Sequence, residues 1–391
     1  MRKWILLSLL LAGCSQGGQQ NGGDTKFLLP WPDVNGNYTL QEVTIETLSN
    51  PTELRGEAAE VYSQATFSSG GFKDTIARPR VTKSGDVYIP QDAESATAIA
   101  VYAQFDKLLK YEKQLGTRSQ LNWPRKVSIQ LNLSGSEINI HDNAHYFMAY
   151  DVIGLVPYTK SGVPVALNQG IVAHEHFHAH FQSQVMNPLN LMTDSVVSAL
   201  EDIFYPLFSW GALPAAGGSK MGTQSPRMLN NIVLRGWNEG LADLFASIYT
   251  GKSEFFSPSL PGPIAKIRDL DAAAGPLLSG ESFEKYFGKA ALPDEQMARI
   301  AYGQGTALAR LLYGLAHTGQ ESPQKFLARI LERIGKIPAQ VSANFSKETL
   351  DFDAITAILL EGYELNAQGC KALGDSVQKV TMDRSFAKCA L

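Results

Sequence analysis

The pattern of this chain predicts an α+β fold, with a mainly β amino-terminal region followed by a mostly helical carboxy-terminal one. Three observations predict it. Segments rich in β-branched and alternating residues cluster before residue 168. Apolar residues at helical spacing dominate after it. The 391 residues, 44% of them hydrophobic, can bury one large core or two smaller ones.

The first segment is a targeting signal. Arg2 and Lys3 precede an apolar run from Trp4 to Leu11, too short to span a bilayer as a stable helix, so residues 1–13 read as a signal peptide. Leu11-Ala12-Gly13-Cys14 resembles the lipobox of bacterial lipoproteins. That resemblance implies lipidation of Cys14, with several acyl chains holding the mature protein on a membrane. A plain secretory signal is the alternative. Ser15 does not resemble the aspartate that retains lipoproteins in the inner membrane. The implied location is therefore the bacterial cell envelope, at the outer membrane, on its periplasmic or outer face. Residues 14–26, rich in Ser, Gln, Gly and Asn, read as a flexible tether.

Residues 27–167 form the β-rich region. Tyr38 to Thr47 reads as a strand, and Val81 to Ile89 as a hairpin turning at Lys83-Ser84-Gly85-Asp86. Ala93 to Leu115 reads as a helix, with Ile99, Tyr102, Phe105, Leu108 and Leu109 on its apolar face and Gly116 ending it. Lys126 to Leu133, Glu137 to Ile140, Tyr146 to Val152 and Val163 to Leu167 are expected as strands of one sheet. Residues 168–362 are expected to be helical, with an insertion at 187–228. That insertion holds Val196 to Trp210, interrupted by Pro206, and a Gly/Pro/Ser-rich stretch to Pro226. Glu201, Asp202 and Pro206 argue against a membrane span there. The insertion either narrows a cleft or forms a satellite helical layer. Residues 363–391 read as a tail, in which Cys370 and Cys389 form a disulfide in an oxidising compartment or remain two free thiols.

The formal charge is −4, and −6 once Arg2 and Lys3 are removed. With that mild acidity and no basic run, there is no case for a nucleic-acid partner.

Chemistry concentrates at His174-Glu175-His176-Phe177-His178, which fits H-E-x-x-H. Residues four apart share a helix face, so His174 and His178 can present two imidazoles to one ion, and Glu175 can act as general base toward an attacking water. Asn168 is a plausible N-cap for this helix. His176 and His180 form a second pair four apart, without a following glutamate, and read as flanking or supporting residues. A His-rich helix with no metal is the rival reading. A catalytic zinc needs a third protein ligand. Downstream, Glu239 could supply it from a second helix. Asp243, one turn later, could take the far nitrogen of a ligand imidazole, with Asn238 beside Glu239 as a further supporting residue.

These blocks resemble the gluzincin clan of zinc peptidases, whose two His and one Glu ligands come from two helices. Trp237-Asn238-Glu239-Gly240-Leu241-Ala242 is similar to the W-x-N-E-G-F-A block of aminopeptidase-N-like enzymes, without the spacer after Trp. Glu239 with Asp243 resembles the E-x-x-x-D arrangement of thermolysin-like enzymes. Ala301-Tyr302-Gly303-Gln304-Gly305, with Tyr302 63 residues after Glu239, resembles the P-Y-E-K-G segment in which a tyrosine steadies the oxyanion. A buried structural tyrosine is the other possibility. The resemblance spans about residues 140 to 360. It implies a zincin-like sheet beside the motif helix, whose edge strand runs along the cleft; Tyr146 to Tyr150 and Val163 to Leu167 are the candidates. It implies Zn2+ held by His174, His178 and Glu239, Glu175 as base, Tyr302 as oxyanion donor, and a peptide or protein substrate. Two departures stand out: 60 residues separate His178 from Glu239, and there is no clear G-A-M-E-N block, so aminopeptidase specificity is not implied. The alternatives are an inactive metal-binding envelope lipoprotein and a zinc hydrolase of a non-peptide bond. His141, His145 and His317 read as surface or core residues. Nothing in the sequence sets the oligomeric state or endo- against exopeptidase action.

Overall fold

The computed structural model describes residues 24–63, 66–68, 71–131, 141–190, 226–260, 262–275, 277, 294–343, 345, 347, 350, 352–376 and 389. In chain order the strands are β1 (Thr25–Pro32), β2 (Tyr38–Ile45), β3 (Ala59–Ser63), β4 (Thr66–Ser68), β5 (Gly71–Lys73), β6 (Val81–Ser84), β7 (Val87–Pro90), β8 (Arg125–Ile129), β9 (Ala144–Phe147) and β10 (Val152–Leu155). The helices are α1 (Ala93–Leu115), α2 (Gln169–Phe181), α3 (Pro226–Thr250), α4 (Pro263–Ile267), α5 (Asp294–Thr318), α6 (Pro323–Ile334), α7 (Ile337–Val341), α8 (Phe352–Leu359) and α9 (Ala367–Ser376). Strands first and helices after make the fold α+β, as the sequence pattern predicts.

Two four-stranded sheets flank α1. One has the order β2-β1-β7-β6, the other β3-β8-β10-β9. In the second, β3, β8 and β10 are parallel and β9 closes the row antiparallel to β10. The ends of α1 are set by local chemistry: Asp92 accepts a hydrogen bond from the Ser95 N–H at 2.8 Å, and Gly116 takes the left-handed conformation at φ 76° that stops the helix. Its five predicted apolar residues are all fully buried. The buried Asp106 carboxylate ties α1 to the end of β2 by accepting from the backbone N–H groups of Glu46 and Thr47 and from the Thr47 hydroxyl. The expected hairpin is β6–β7, with Gly85 at φ 63° in its turn.

Four expectations need correction. Tyr146 to Val152 is not one strand: β9 ends at Phe147, a single 3-10 turn covers Met148–Tyr150, and Asp151 at φ 51° reverses the chain into β10. The Asp151 carboxylate holds this reversal by accepting from the buried Arg125 guanidinium, at 2.7 and 3.1 Å, and from the Tyr146 hydroxyl at 2.8 Å. Val163 to Leu167 is not a strand either. Pro164 accepts from the Leu167 N–H at 2.8 Å, and Val165–Leu167 form a 3-10 turn leading into α2. The tether ends earlier than residue 26, because Thr25 and Lys26 already pair with Ile45 and Thr44 in β1–β2. Cys370 and Cys389 do form the disulfide that is one of their two expected states, and it pins α9 within residues 363–391. The β8 strand stops at Ile129, where Gln130 takes a φ of 53°. Cys14, the expected strand Glu137 to Ile140 and most of the 187–228 insertion lie outside the described residues. Among the described residues no helix is long and apolar enough to cross a membrane.

In the helical half, α3 and α5 meet backbone to backbone. A Cβ added to Gly240 would lie 2.1 Å from the Gly305 carbonyl oxygen, and one added to Gly305 would lie 2.0 Å from that of Gly236. Only glycine permits this approach, and it sets Glu239 on α3 beside Tyr302 on α5. Overpacking at such a contact costs about 1–3 kcal/mol or more. Gly240→Ala is therefore expected to lower stability by at least that amount in chemical denaturation. Gly303→Ala, whose methyl meets nothing within 4 Å, should instead gain about 0.5–1 kcal/mol from helix propensity.

Candidate metal centre

Helix α2 is buried along all of its thirteen residues, so its polar groups depend on partners inside the protein, and any left without one stands out. Its start is fixed by Asn168. The side-chain oxygen accepts from the Gly170 and Ile171 N–H groups at 2.9 and 3.3 Å, and the amide nitrogen donates to the Phe255 carbonyl and the Ser259 hydroxyl, each at 3.1 Å. Beyond Phe181 the chain continues as a π-helical turn, Gln182–Met186.

His174, His178 and Glu239 come together as the H-E-x-x-H reading requires. The two Nε2 atoms are 3.2 Å apart, His174 Nε2 lies 3.3 Å from Glu239 Oε2, and His178 Nε2 lies 3.7 Å from Glu239 Oε1. The far nitrogens are both taken. His178 Nδ1 donates to the Asn238 side-chain oxygen at 2.9 Å. His174 Nδ1 lies 3.0 Å from Asp243 Oδ1, off the line of an ideal hydrogen bond but against a carboxylate that only a protonated nitrogen can face. With both Nδ1 atoms carrying protons, the two Nε2 lone pairs point at each other and at a carboxylate. Such an arrangement is repulsive unless a cation sits between them. The spacings bracket the separation of about 3.3 Å expected between donors that share a tetrahedral ion at about 2.0–2.1 Å. The residues therefore fit a metal ion.

Electrostatics agree. Burial pushes the Glu239 carboxyl up, but His178, His174 and Arg268 outweigh it and hold the group well below the usual carboxylate range. Burial likewise pushes the His174 imidazole down, yet its contacts with Asp243 and Glu239 hold it up at about 9. Both contacts favour the protonated ring in the metal-free protein. Glu175, beside this group, has a carboxyl raised by burial against the opposing pull of His178 and His174. Its buried Oε2 has no hydrogen-bond partner among the described residues and lies 4.0 Å from His178 Nε2. A poised carboxylate oxygen with nothing to accept is what a general base needs.

No family model matches the chain. No curated protein matches it either. The site's meaning therefore rests on its own geometry.

Tyr302 reaches the centre as expected, donating its hydroxyl to Glu239 Oε1 at 3.3 Å. Burial first, then the Glu239 charge, raises the phenol well above its usual value, so the hydroxyl keeps its proton. Two further residues escaped the sequence reading. Arg268, just after α4, donates to both Asp243 oxygens at 2.9 and 2.5 Å and lies 3.4 Å from Glu239 Oε2, with its guanidinium 4.3 Å over the Phe256 ring. No motif marks it. His145, set aside as a surface or core residue, stands on β9 within the electrostatic reach of His178 and Glu239; burial, then His178, pushes its imidazole down to about 3. His317 is structural, its Nδ1 donating to the Tyr313 carbonyl at 2.9 Å. Phe255 and Phe256 wall the outer side of His174. His176 and His180, expected to flank or support the first pair, belong to a separate group with Glu112 of α1.

Asp243→Asn should weaken metal binding about 10- to 100-fold, as loss of such an orienting contact does, in a competition titration with a chelator. A ligand imidazole must be neutral. Metal binding near pH 7 should therefore expel the His174 proton, seen as a buffer-dependent heat in calorimetry, and this release should vanish above about pH 9.

Proposed function

We propose that this chain is a zinc-dependent metallopeptidase of gluzincin type, hydrolysing peptide bonds with a water activated at His174, His178 and Glu239. The observation that carries this is the pair of Nε2 lone pairs facing each other and a carboxylate, with an unpartnered Glu175 oxygen alongside. Zinc in a His-His-Glu set acts as a Lewis acid toward a carbonyl and lowers the pKa of water to about 7. Glu175 takes the proton from the attacking water and delivers it to the leaving amine. Tyr302, kept neutral by burial, donates its hydroxyl to the developing oxyanion. Asp243 and Asn238 keep both ligand rings in one tautomer, and Arg268 fixes Asp243. A peptide in extended form pairs with β9, which ends its sheet among the described residues and packs beside α2. The lipobox resemblance at residues 11–14 supports an enzyme anchored in the bacterial cell envelope through Cys14.

Cleavage of a mixed peptide library by the zinc-loaded protein, beside its Glu175→Gln variant, tests the proposal. Wild type alone should cut, while the variant retains its zinc. No cleavage by either, with zinc bound, would point to the inactive lipoprotein or to a non-peptide bond. Tyr302→Phe should lower kcat about 10²- to 10³-fold with little change in KM, as removal of an oxyanion donor does.

A further inference from the structure

Four histidines alternate along α2. At about 100° per residue, His174 and His178 occupy one face and His176 and His180 the roughly opposite one. Each face meets a glutamate from another helix, Glu239 on one side and Glu112 on the other. Residue types alone do not tell the two groups apart; donors and acceptors do.

On the Glu239 face both Nδ1 atoms abut acceptors, which leaves two Nε2 lone pairs for an ion. On the Glu112 face the Nδ1 atoms of His176 and His180 have no hydrogen-bond partner among the described residues. Both Nε2 atoms instead converge on Glu112 Oε1, at 3.1 and 2.8 Å. The other carboxylate oxygen accepts from the Thr117 hydroxyl. A proton on each Nε2 satisfies every contact, because three donors then meet one carboxylate and no lone pair faces another. Glu112, His176 and His180 are completely buried, and the rings of Phe105, Trp123 and Phe245 pack around His176. In such a dry space a carboxylate feels the loss of any one donor strongly.

We propose that Glu112 is a positioning residue for the metal centre: it clasps the back of α2 through His176 and His180, sets the rotation of that helix, and so aims His174 and His178, while holding no ion itself. It rests on the assignment of His174, His178 and Glu239 as the metal centre. Ligand constellations tolerate only about 0.5 Å and 10–20° of error. A clasp diametrically behind the ligands controls the rotation to which they are most sensitive.

Cobalt(II), as a spectroscopic probe of the site, separates positioning from simple stabilisation when added to the full chain. Wild type should take up one equivalent, lost in His174→Ala. Glu112→Gln should bind cobalt at least about tenfold more weakly, in the range seen when support behind a ligand is removed, and shift its visible absorption band. Ile330→Ala, a cavity on the buried face of α6, should lower the melting temperature yet leave band and affinity as in wild type. Thr117→Val, which removes one donor from Glu112, should give the same shift at smaller amplitude and serves if Glu112→Gln does not fold. An unchanged band and affinity in the folded Glu112 or Thr117 variant would overturn the proposal. So would a second equivalent of cobalt in wild type that Glu112→Gln abolishes, because the group would then be a metal site. Equal binding by wild type and His174→Ala would instead bring down the metal centre, and this inference with it.

Discussion

The structure depends on burying one helix that carries four imidazoles and a carboxylate. An apolar helix in the same place would need only shape. Helix α2 needs a specific partner for each of its four histidines, since an unpaired buried charge costs several kcal/mol and an unpaired polar group about 1–3. The neighbours answer that need from two directions. From α1 comes Glu112, from α3 come Asn238, Glu239 and Asp243, and behind these Arg268, in the segment after α4, holds Asp243 in turn. Because these partners are charged and directional, they determine not only that α2 is buried but at what depth and angle.

The same charges give the site its chemistry. Glu239 and Asp243 lie one turn apart on α3, and Arg268 bridges them, so two carboxylates share one guanidinium near a cluster that attracts a cation. Glu175 stands outside this exchange. Its environment raises its affinity for a proton while that of Glu239 is lowered. Two glutamates beside the same pair of histidines are thus pushed in opposite directions, the divergence that the proposed roles of ligand and base call for. Tyr302 is joined to the cluster through a helix crossing that only glycine allows, so its place depends on Gly240 and Gly305 as much as on its own identity.

Features with a local cause were legible in the sequence. Helix α1 carries its own cap and stop in Asp92 and Gly116, and the β6–β7 hairpin its own turn glycine. The pairing of His174 with His178 and the place of Glu175 beside them follow from a spacing within one helix, and the approach of Glu239, Asp243 and Tyr302 from short blocks set in recognisable order. Features with a distant cause were not legible. Asp151 breaks an alternating run because Arg125, 26 residues away, holds its carboxylate. Strand β1 was missed because Pro30 and Pro32 interrupt its pattern; they are tolerated because its pairing with β7 covers only Lys26 and Phe27. Arg268 reaches α3, and His145 and Glu112 reach α2, across long stretches of chain, and no local spacing announces such meetings.

Helix α1 carries one more consequence. Asp106 fastens it to the end of β2, and Glu112, six residues on, fastens it to α2. At 1.5 Å per residue those anchor points are only about 9 Å apart on a rigid rod. The amino-terminal sheet and the histidine helix are thus braced to a common strut, and the border between β-rich and helical halves is not a line along which the molecule divides. Cut there, the helical piece would keep every residue of the candidate metal centre and lose the frame that holds it.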